Sequence, residues 1–543
     1  MGPASSLVSL ALGVLLLPPT LVLLALRVAH DALVALLYGA PGSEPIDPKD
    51  SVWQPKPDAH RGVKTLIVAC LEIDRCTLAE LRDLVRIALV ERRGPTGELA
   101  YPRFSQRAVR RGPLGAWFWE DVCALDVQQH VVAAPADART TEGLVARMEA
   151  LADGTAGVGT AFDSPLWRFE LVEEPVGAPL DPLLPPLDQP AAARAGATAR
   201  AGAATRTACG GTTPPASSAS AARSVVLLQT HHAMADGAAL VELLVRAFSP
   251  AGAEPKFAAG ARARASVGPH GRLGVGGLSL RVALRAAIEL PLLSLGRLVA
   301  PADRNAFRGR ITTKKRMGRS RSVPLAAVRE LAAAAGTSVN AVLLAAIALA
   351  LRERLLERGA AVPRDVHAVA PVVTRPRGGR IRMENEFAIV FVPLPVGLGA
   401  EPRAALARAA ERVAELKAGV VAHAMVLVLR LTHALLPECA SVPLLALVSD
   451  KATLLFSTLP GPDAPIVWGA PGGEKRVHSV AYWAPVRSAV GMSVSSFTYR
   501  GRLGAFVLTD EGVERQPQAI ADRFAPAVDA LRAAHGLPPV TYV

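Results

Sequence analysis

The sequence predicts an α/β protein, a sandwich of helices and strands repeated in two halves. Three observations lead there. At 543 residues the chain exceeds what one hydrophobic core ordinarily organises. Helical and extended patterns alternate along both halves. A hydrophobic stretch stands apart at the N-terminus, ahead of those patterns.

Residues 7–26 carry no charge and match the length of a bilayer core, so residues 1–46 are read as a hydrophobic membrane anchor. Pro18 and Pro19 interrupt it, which leaves a kinked span and a re-entrant hairpin open. A second apolar piece, 32–40, follows Arg27, His30 and Asp31. No basic region precedes the apolar core, which argues against a cleaved signal peptide. The polar, proline-bearing 47–57 reads as a linker. The first half proper, 58–248, opens with a strand over 64–72. A helix then starts near Thr77, where Thr77 and Glu80 have capping-box spacing. A helix over 140–151 precedes a strand entered through Pro165, Leu166 and Trp167. That strand is expected to pair with the apolar strand over 224–230. Residues 176–223, poor in large apolar side chains after Leu187, cannot offset their ordering entropy; they read as a disordered insertion at the hairpin tip. In 238–248, Leu240, Leu243, Leu244, Ala247 and Phe248 recur at helical spacing.

Residues 249–310 read as a flexible stretch followed by an amphipathic helix over 278–300. Its Arg281, Arg285 and Glu289 stripe suits a core helix or a membrane-surface helix equally. The second half, 311–543, is expected to carry helices over 325–335 and 338–358, the latter capped by Ser338. Strands are expected over 321–324, 366–374, 386–395, 451–457, 488–499 and 504–510. The apolar 421–448 is broken by Arg430, Pro437, Glu438 and Pro443, so a full span is not expected there.

The net charge of +13 admits nucleic acid, an anionic membrane surface or phosphate-bearing substrates. Aromatics are only 4% and the arginines are scattered among alanines, so there is no base-stacking platform and nucleic acid is set aside. Two basic runs, 310–321 and 375–382, are either solvated surface or contacts for CoA phosphates or acidic headgroups. Cys70, Cys76, Cys123, Cys209 and Cys439 are odd in number and lack paired spacing. They fit a reducing compartment better than a disulfide framework or a zinc site.

The chemistry concentrates at His231-His232-Ala233-Met234-Ala235-Asp236-Gly237, between a strand and a helix. Imidazole can take a proton from a hydroxyl and return it near neutral pH. The Asp236 carboxylate can hold the loop, and Gly237 permits a tight turn. The alternative is a pair of structural histidines at a strand end. No Gly-x-Ser-x-Gly elbow points to an acyl-enzyme, and adjacent histidines without a Cys or carboxylate cluster argue against metal.

This HHxxxDG pattern resembles that of the CoA-dependent acyltransferase superfamily. From about residue 64 onward the chain resembles the wax ester synthase/diacylglycerol acyltransferase family. The segments 101–104 and 119–130, Pro165-Leu166-Trp167, and 336–340 are similar to its motifs in order. So are 371–375 with Asn385, and 457–462. Ala341, Glu384 and Thr458 depart from the family pattern at places that touch substrate positioning. The resemblance implies two chloramphenicol-acetyltransferase-like α/β sandwich subdomains. It implies transfer of a fatty acyl group from acyl-CoA to a long-chain alcohol or diacylglycerol, with no cofactor besides acyl-CoA as co-substrate. His232 is expected to be the general base, His231 to shape the loop, and Asp236 to hold the turn through an arginine that the sequence does not identify. Asn340 is expected either to donate to the oxyanion or simply to cap its helix. Pro165, Leu166, Trp167, Arg375 and Asn385 are expected to contact substrate. The chain would sit on membrane lipid, at the endoplasmic reticulum or the plasma membrane, with its catalytic part facing the cytosol. Two alternatives stay open: a superfamily acyltransferase with another acceptor, and a lipid-binding relative without turnover.

Overall fold

The computed structural model describes residues 3–53, 64–112, 116–158, 164–176, 223–249, 295–296, 298–373, 381–398, 400–418 and 421–542. The expected insertion, most of the 249–310 segment and Arg375 lie outside these residues. The N-terminal stretch forms one helix, α1 (Pro3–Tyr38), that runs through Pro18 and Pro19 and absorbs both apolar pieces. Its part Gly13–Tyr38 is long and apolar enough to cross a membrane, and leucines such as Leu15 and Leu36 are bare. Arg27 ties it to the body by donating to the Leu436 carbonyl at 2.7 Å.

The first half continues with β1 (Ser43–Pro45), α2 (Pro48–Ser51), β2 (Leu66–Asp74), α3 (Leu78–Val85), β3 (Gln106–Arg111) and β4 (Ala116–Asp121). Then come α4 (Val127–His130), β5 (Val131–Ala133), α5 (Thr141–Asp153), β6 (Trp167–Glu173), β7 (Arg223–His231) and α6 (Gly237–Arg246). The capping box on α3 forms in full. The strands β2 and β7 are buried along nearly their whole length, as strands covered on both faces must be. The expected β6–β7 pairing is present, from Trp167 opposite Thr230 to Glu173 opposite Ser224.

The second half holds β8 (Lys315–Arg319), β9 (Val323–Pro324), α7 (Leu325–Ala334), α8 (Val339–Glu357), β10 (Val366–Val373) and β11 (Phe387–Leu394). It goes on through α9 (Pro402–Ala418), α10 (Val421–Leu435), α11 (Glu438–Ser449), β12 (Leu454–Pro460), β13 (Val467–Trp468) and β14 (Lys475–Trp483). It ends with β15 (Met492–Tyr499), β16 (Arg502–Asp510), α12 (Pro517–Ala521) and α13 (Phe524–Ala534). The α10–α11 break falls at Pro437, as the breakers required. Ser338 does sit at the start of α8, but its hydroxyl makes no capping bond.

Two large sheets result, the mixed α/β architecture expected. The order in the second is β11-β10-β12-β15-β16-β8, with β9 also on β16. The first is β13-β14-β2-β7-β6-β5. A division at residue 310 therefore fails in one place: β13 and β14 belong to the second half by sequence and to the first sheet by pairing. The register runs from Val477 opposite Ile73 to Trp483 opposite Val68. The sequence reading missed both strands, because a crossover is decided by long-range pairing rather than local pattern. Trp483 seals it, its indole N–H donating to the Gly318 carbonyl of β8 at 3.2 Å. Two members of the basic run 310–321 are engaged by acids of the fold. Lys315 forms a buried pair with Asp510 at 3.0 Å. Arg316 reaches Glu149 of α5 at 2.9 Å, so it links the halves instead of offering a free anion site.

Trp483 is 2% exposed and spans the two sheets. Trp483→Ala is expected to cost about 3–5 kcal/mol, read as a fall in the urea midpoint of the detergent-solubilised chain.

Candidate active site

The strand β7 delivers His231 and His232 at the end of its run through the first sheet, and the chain then turns sharply, with the Met234 N–H donating to the His231 carbonyl at 3.0 Å. Asp236 stops the turn and starts α6. One carboxylate oxygen accepts from the Ala239 N–H and the other from the Glu386 N–H, both at 2.9 Å. Two backbone amides, one of them from the second half, therefore hold this carboxylate. Gly237 follows a different logic from the one the sequence offered. A Cβ there would stand 3.0 Å from Leu459 Cδ1 of β12. A side chain here would press on the other lobe, while the backbone itself is in a conformation any residue can adopt.

The two imidazoles divide. His231 is buried, with Nδ1 accepting from the Ala233 N–H at 3.3 Å. That fixes the proton on Nε2, which faces Thr65 Oγ1 at 3.3 Å; the Thr65 hydroxyl in turn donates to the Trp53 carbonyl at 2.9 Å. Burial pushes the His231 pKa down to about 3. The His232 ring lies against Trp53, with centroids 3.9 Å apart and planes 21° from parallel, and Phe387 meets it edge-on at 6.1 Å. Its Nδ1 is enclosed without a hydrogen-bond partner among the described residues. Burial lowers its pKa to about 4, against the upward pull of the Asp236 carboxylate. Both rings are neutral at pH 7.

His232 opens onto a cavity of about 750 Å³ walled by both lobes. Trp53, Ile67, Asp236 and Gly237 line the near side; Val369, Pro371, Val373, Phe387, Ile389, Leu455 and Leu459 make the far side apolar. The far wall exists because the sheet parts. The strands β10 and β12 pair only at Ala368 with Leu454 and Val369 with Leu455, whereas β12 and β15 stay paired from Leu455 to Pro460. Ser457 and Thr458 add hydroxyls to the lining. The Tyr482 hydroxyl donates to Ser457 Oγ at 3.0 Å, and the Ser496 hydroxyl donates to Thr458 Oγ1 at 3.1 Å.

Behind His232 lies a polar junction that the sequence reading took for a linker. Asn385 Nδ2 donates to the His232 carbonyl and to Asp50 Oδ1, each at 2.8 Å, and the Asn385 N–H donates to the same oxygen at 2.8 Å. Asp50 and Trp53 are 1% and 7% exposed, so residues 47–53 are part of the core of the site. Burial raises the Asp50 carboxyl to about 7, against the bonds from Asn385. Glu384, a departure from the family pattern, pairs with Lys49 of the same segment at 2.8 Å.

The remaining candidates fall elsewhere. Trp167 is fully buried, donates to the Phe104 carbonyl at 2.9 Å and stacks on His130 at 4.5 Å. With Pro165 and Leu166 it packs at the entry to β6 and does not line the cavity. Asn340 is exposed on the first turn of α8, where the core side is taken by Ala341 and Val342, so it does not reach the cavity. Asn385 acts behind the histidine and not in the lining. Among the described residues no group of three His, Cys, Asp or Glu is placed to hold a metal. Trp53, Asp50, Ser457 and Tyr482 were missed. Ser457 left a trace in the 457–462 motif, and Asp50 and Trp53 as an acid and an aromatic in a segment otherwise read as spacer.

Residues 383–532 match the family model of the WS/DGAT C-terminal domain. The second half of the chain thus carries a segment similar to that domain. That match supports an acyltransferase of the wax ester synthase/diacylglycerol acyltransferase type. Its fold is similar to that of the wax ester synthase/diacylglycerol acyltransferase from Marinobacter aquaeolei VT8, at 18% identity and a TM-score of 0.56 over 91% of this chain and 100% of that one. It is also similar to a trichothecene 15-O-acetyltransferase from Fusarium sporotrichioides, at 11% identity and a TM-score of 0.54 over 91% and 95%. No curated protein sequence matches the chain. The two likenesses carry the fold alone.

The raised Asp50 pKa sets a pH dependence. Between the unfolded carboxylate range and about 7 the folded state keeps a proton that the unfolded state has lost, so this group's contribution to stability falls as pH rises through that interval. Asp50→Asn removes the effect while Oδ1 still accepts from Asn385. Its Tm relative to the parent chain is expected to be higher at pH ~8.5 than at pH ~5.5; a difference that does not move with pH would contradict the assignment.

Proposed function

We propose that this chain transfers a fatty acyl group from acyl-CoA to the hydroxyl of a long-chain alcohol or a diacylglycerol. The observation that carries this reading is one neutral imidazole, His232, facing an apolar cavity walled by both lobes. With Nδ1 enclosed, Nε2 is the nitrogen open to that cavity. It takes the acceptor's hydroxyl proton as oxygen attacks the thioester carbon. When the tetrahedral intermediate collapses, the C–S bond breaks and the proton passes to the departing thiolate, which leaves as free CoA. A base positioned in this way contributes ~10²–10⁴ in rate. The apolar lining suits chains without polar groups, and it excludes water that would hydrolyse the thioester. The hydroxyls of Ser457 and Thr458 meet the developing oxyanion in place of Asn340. The helix α1 anchors the chain in the endoplasmic reticulum membrane, with the two lobes on the cytosolic side, where membrane-dissolved acceptors are at hand.

Membranes carrying the chain, supplied with palmitoyl-CoA and hexadecanol or diolein, test this directly. His232→Ala is expected to fall to background; near-parental activity would end the proposal. Between pH ~6 and ~8 the parental rate is expected to be flat as far as this base is concerned, since a pKa of about 4 leaves it deprotonated throughout. Ser457→Ala is expected to lower kcat about 10–100-fold and Asn340→Ala to leave it unchanged. The reverse order would return the oxyanion role to Asn340.

A further inference from the structure

We propose that Trp53 is a positioning residue for the acyl transfer, its indole face holding the His232 ring in line with the cavity and stabilising that ring as it gains the proton. This deepens the general-base reading and rests on it.

Four observations converge. The indole and imidazole are stacked at 3.9 Å and 21°, closer and flatter than the Phe387 contact at 6.1 Å and 68°. Trp53 is tied down from both sides of its own backbone: its carbonyl accepts from Thr65 Oγ1 at 2.9 Å, and its N–H donates to the Asp50 carbonyl at 3.3 Å. Asp50 is itself fastened to Asn385, the residue that holds the His232 carbonyl. The indole position is therefore set by the same junction that sets the histidine loop. Third, Trp53 Nε1–H is buried with no hydrogen-bond partner among the described residues. An orphaned donor is a stability cost that phenylalanine would avoid, so packing alone does not explain the residue. Fourth, the charges near the ring leave the indole a specific task. Burial and the Arg487 guanidinium disfavour the imidazolium, and the Asp236 carboxylate, engaged by two backbone amides, favours it only in part. A cation beside an indole face is attracted by the ring's negative quadrupole. The contact therefore strengthens once the acceptor's proton has moved to His232, which is the step that limits alkoxide formation. Arg487, its Cζ 5.2 Å from the same ring centroid, keeps the indole from swinging out of the stack.

Full-length Trp53→Leu and Trp53→Phe, assayed in membranes with palmitoyl-CoA, decide this when two acceptors are compared: 1-hexadecanol and its 2,2-difluoro analogue, whose hydroxyl is more acidic and needs less help from the base. With hexadecanol, Trp53→Leu is expected to lose roughly two- to thirtyfold in kcat with KM for palmitoyl-CoA unchanged. With the fluorinated alcohol the loss is expected to be smaller. Trp53→Phe, which keeps an aromatic face and sheds the orphaned donor, is expected to lie between Trp53→Leu and the parent chain. Equal losses on both acceptors, or a loss carried by KM, would show a packing role only and overturn the inference. If Trp53→Leu does not accumulate, the same acceptor comparison on Trp53→Phe supports or overturns the inference by itself. His232→Ala separates the two layers: activity surviving there removes the general-base reading and this inference together. An inactive His232→Ala beside a parental Trp53→Leu removes this inference alone.

Discussion

Three stretches of chain far apart in sequence converge on one side chain, Asn385. Its amide group binds the carbonyl of His232 and the carboxyl of Asp50, and its own backbone N–H binds the same carboxyl. Amide-to-carbonyl and amide-to-carboxyl bonds in a dry setting are strong when made and costly when broken. The histidine loop therefore cannot shift without releasing the N-terminal segment, and that segment cannot shift without releasing the start of β11. The neighbouring Lys49–Glu384 pair and the Glu386 N–H on Asp236 reinforce the junction at its edges. The geometry of the site is thus assembled from both halves and from the stretch that follows α1.

Much of this was legible from the residues themselves. The strand β7, the turn and α6 follow from an apolar run, a capping aspartate and helical periodicity. Helix starts at Thr77 and Thr140 are local capping events, and both occur. What escaped was non-local. The strand β14 joins the first sheet through pairing with a partner some 400 positions earlier, which no window of sequence contains. Residues 47–53 have a linker's composition, yet their acid and aromatic are claimed by partners in the second half. Asn340 failed for a geometric reason: helix phase gives the inward positions of α8 to Ala341 and Val342. One overlooked cue was Pro371. A proline in mid-strand is tolerated where the ladder is open, and β10 is unpaired toward β12 from that point on.

The departures from the family pattern find places in this framework. Ala341 lies in the core of the second lobe, where a carboxylate would need a partner. Glu384 is matched by a lysine supplied from the N-terminal segment. Thr458 keeps a hydroxyl at the cavity wall, bonded to Ser496. None of the three removes the imidazole or the opening that it faces.

The parting of β10 from β12 has a consequence for what the protein can accept. Past Val369 and Leu455 the two strand edges face each other across open space instead of satisfying one another, and Pro371 brings no N–H to that edge. An opening framed mainly by main chain and apolar side chains sorts what enters it more by width than by polar contacts. On the function proposed above, that opening is where straight and forked hydrocarbon chains would both find room.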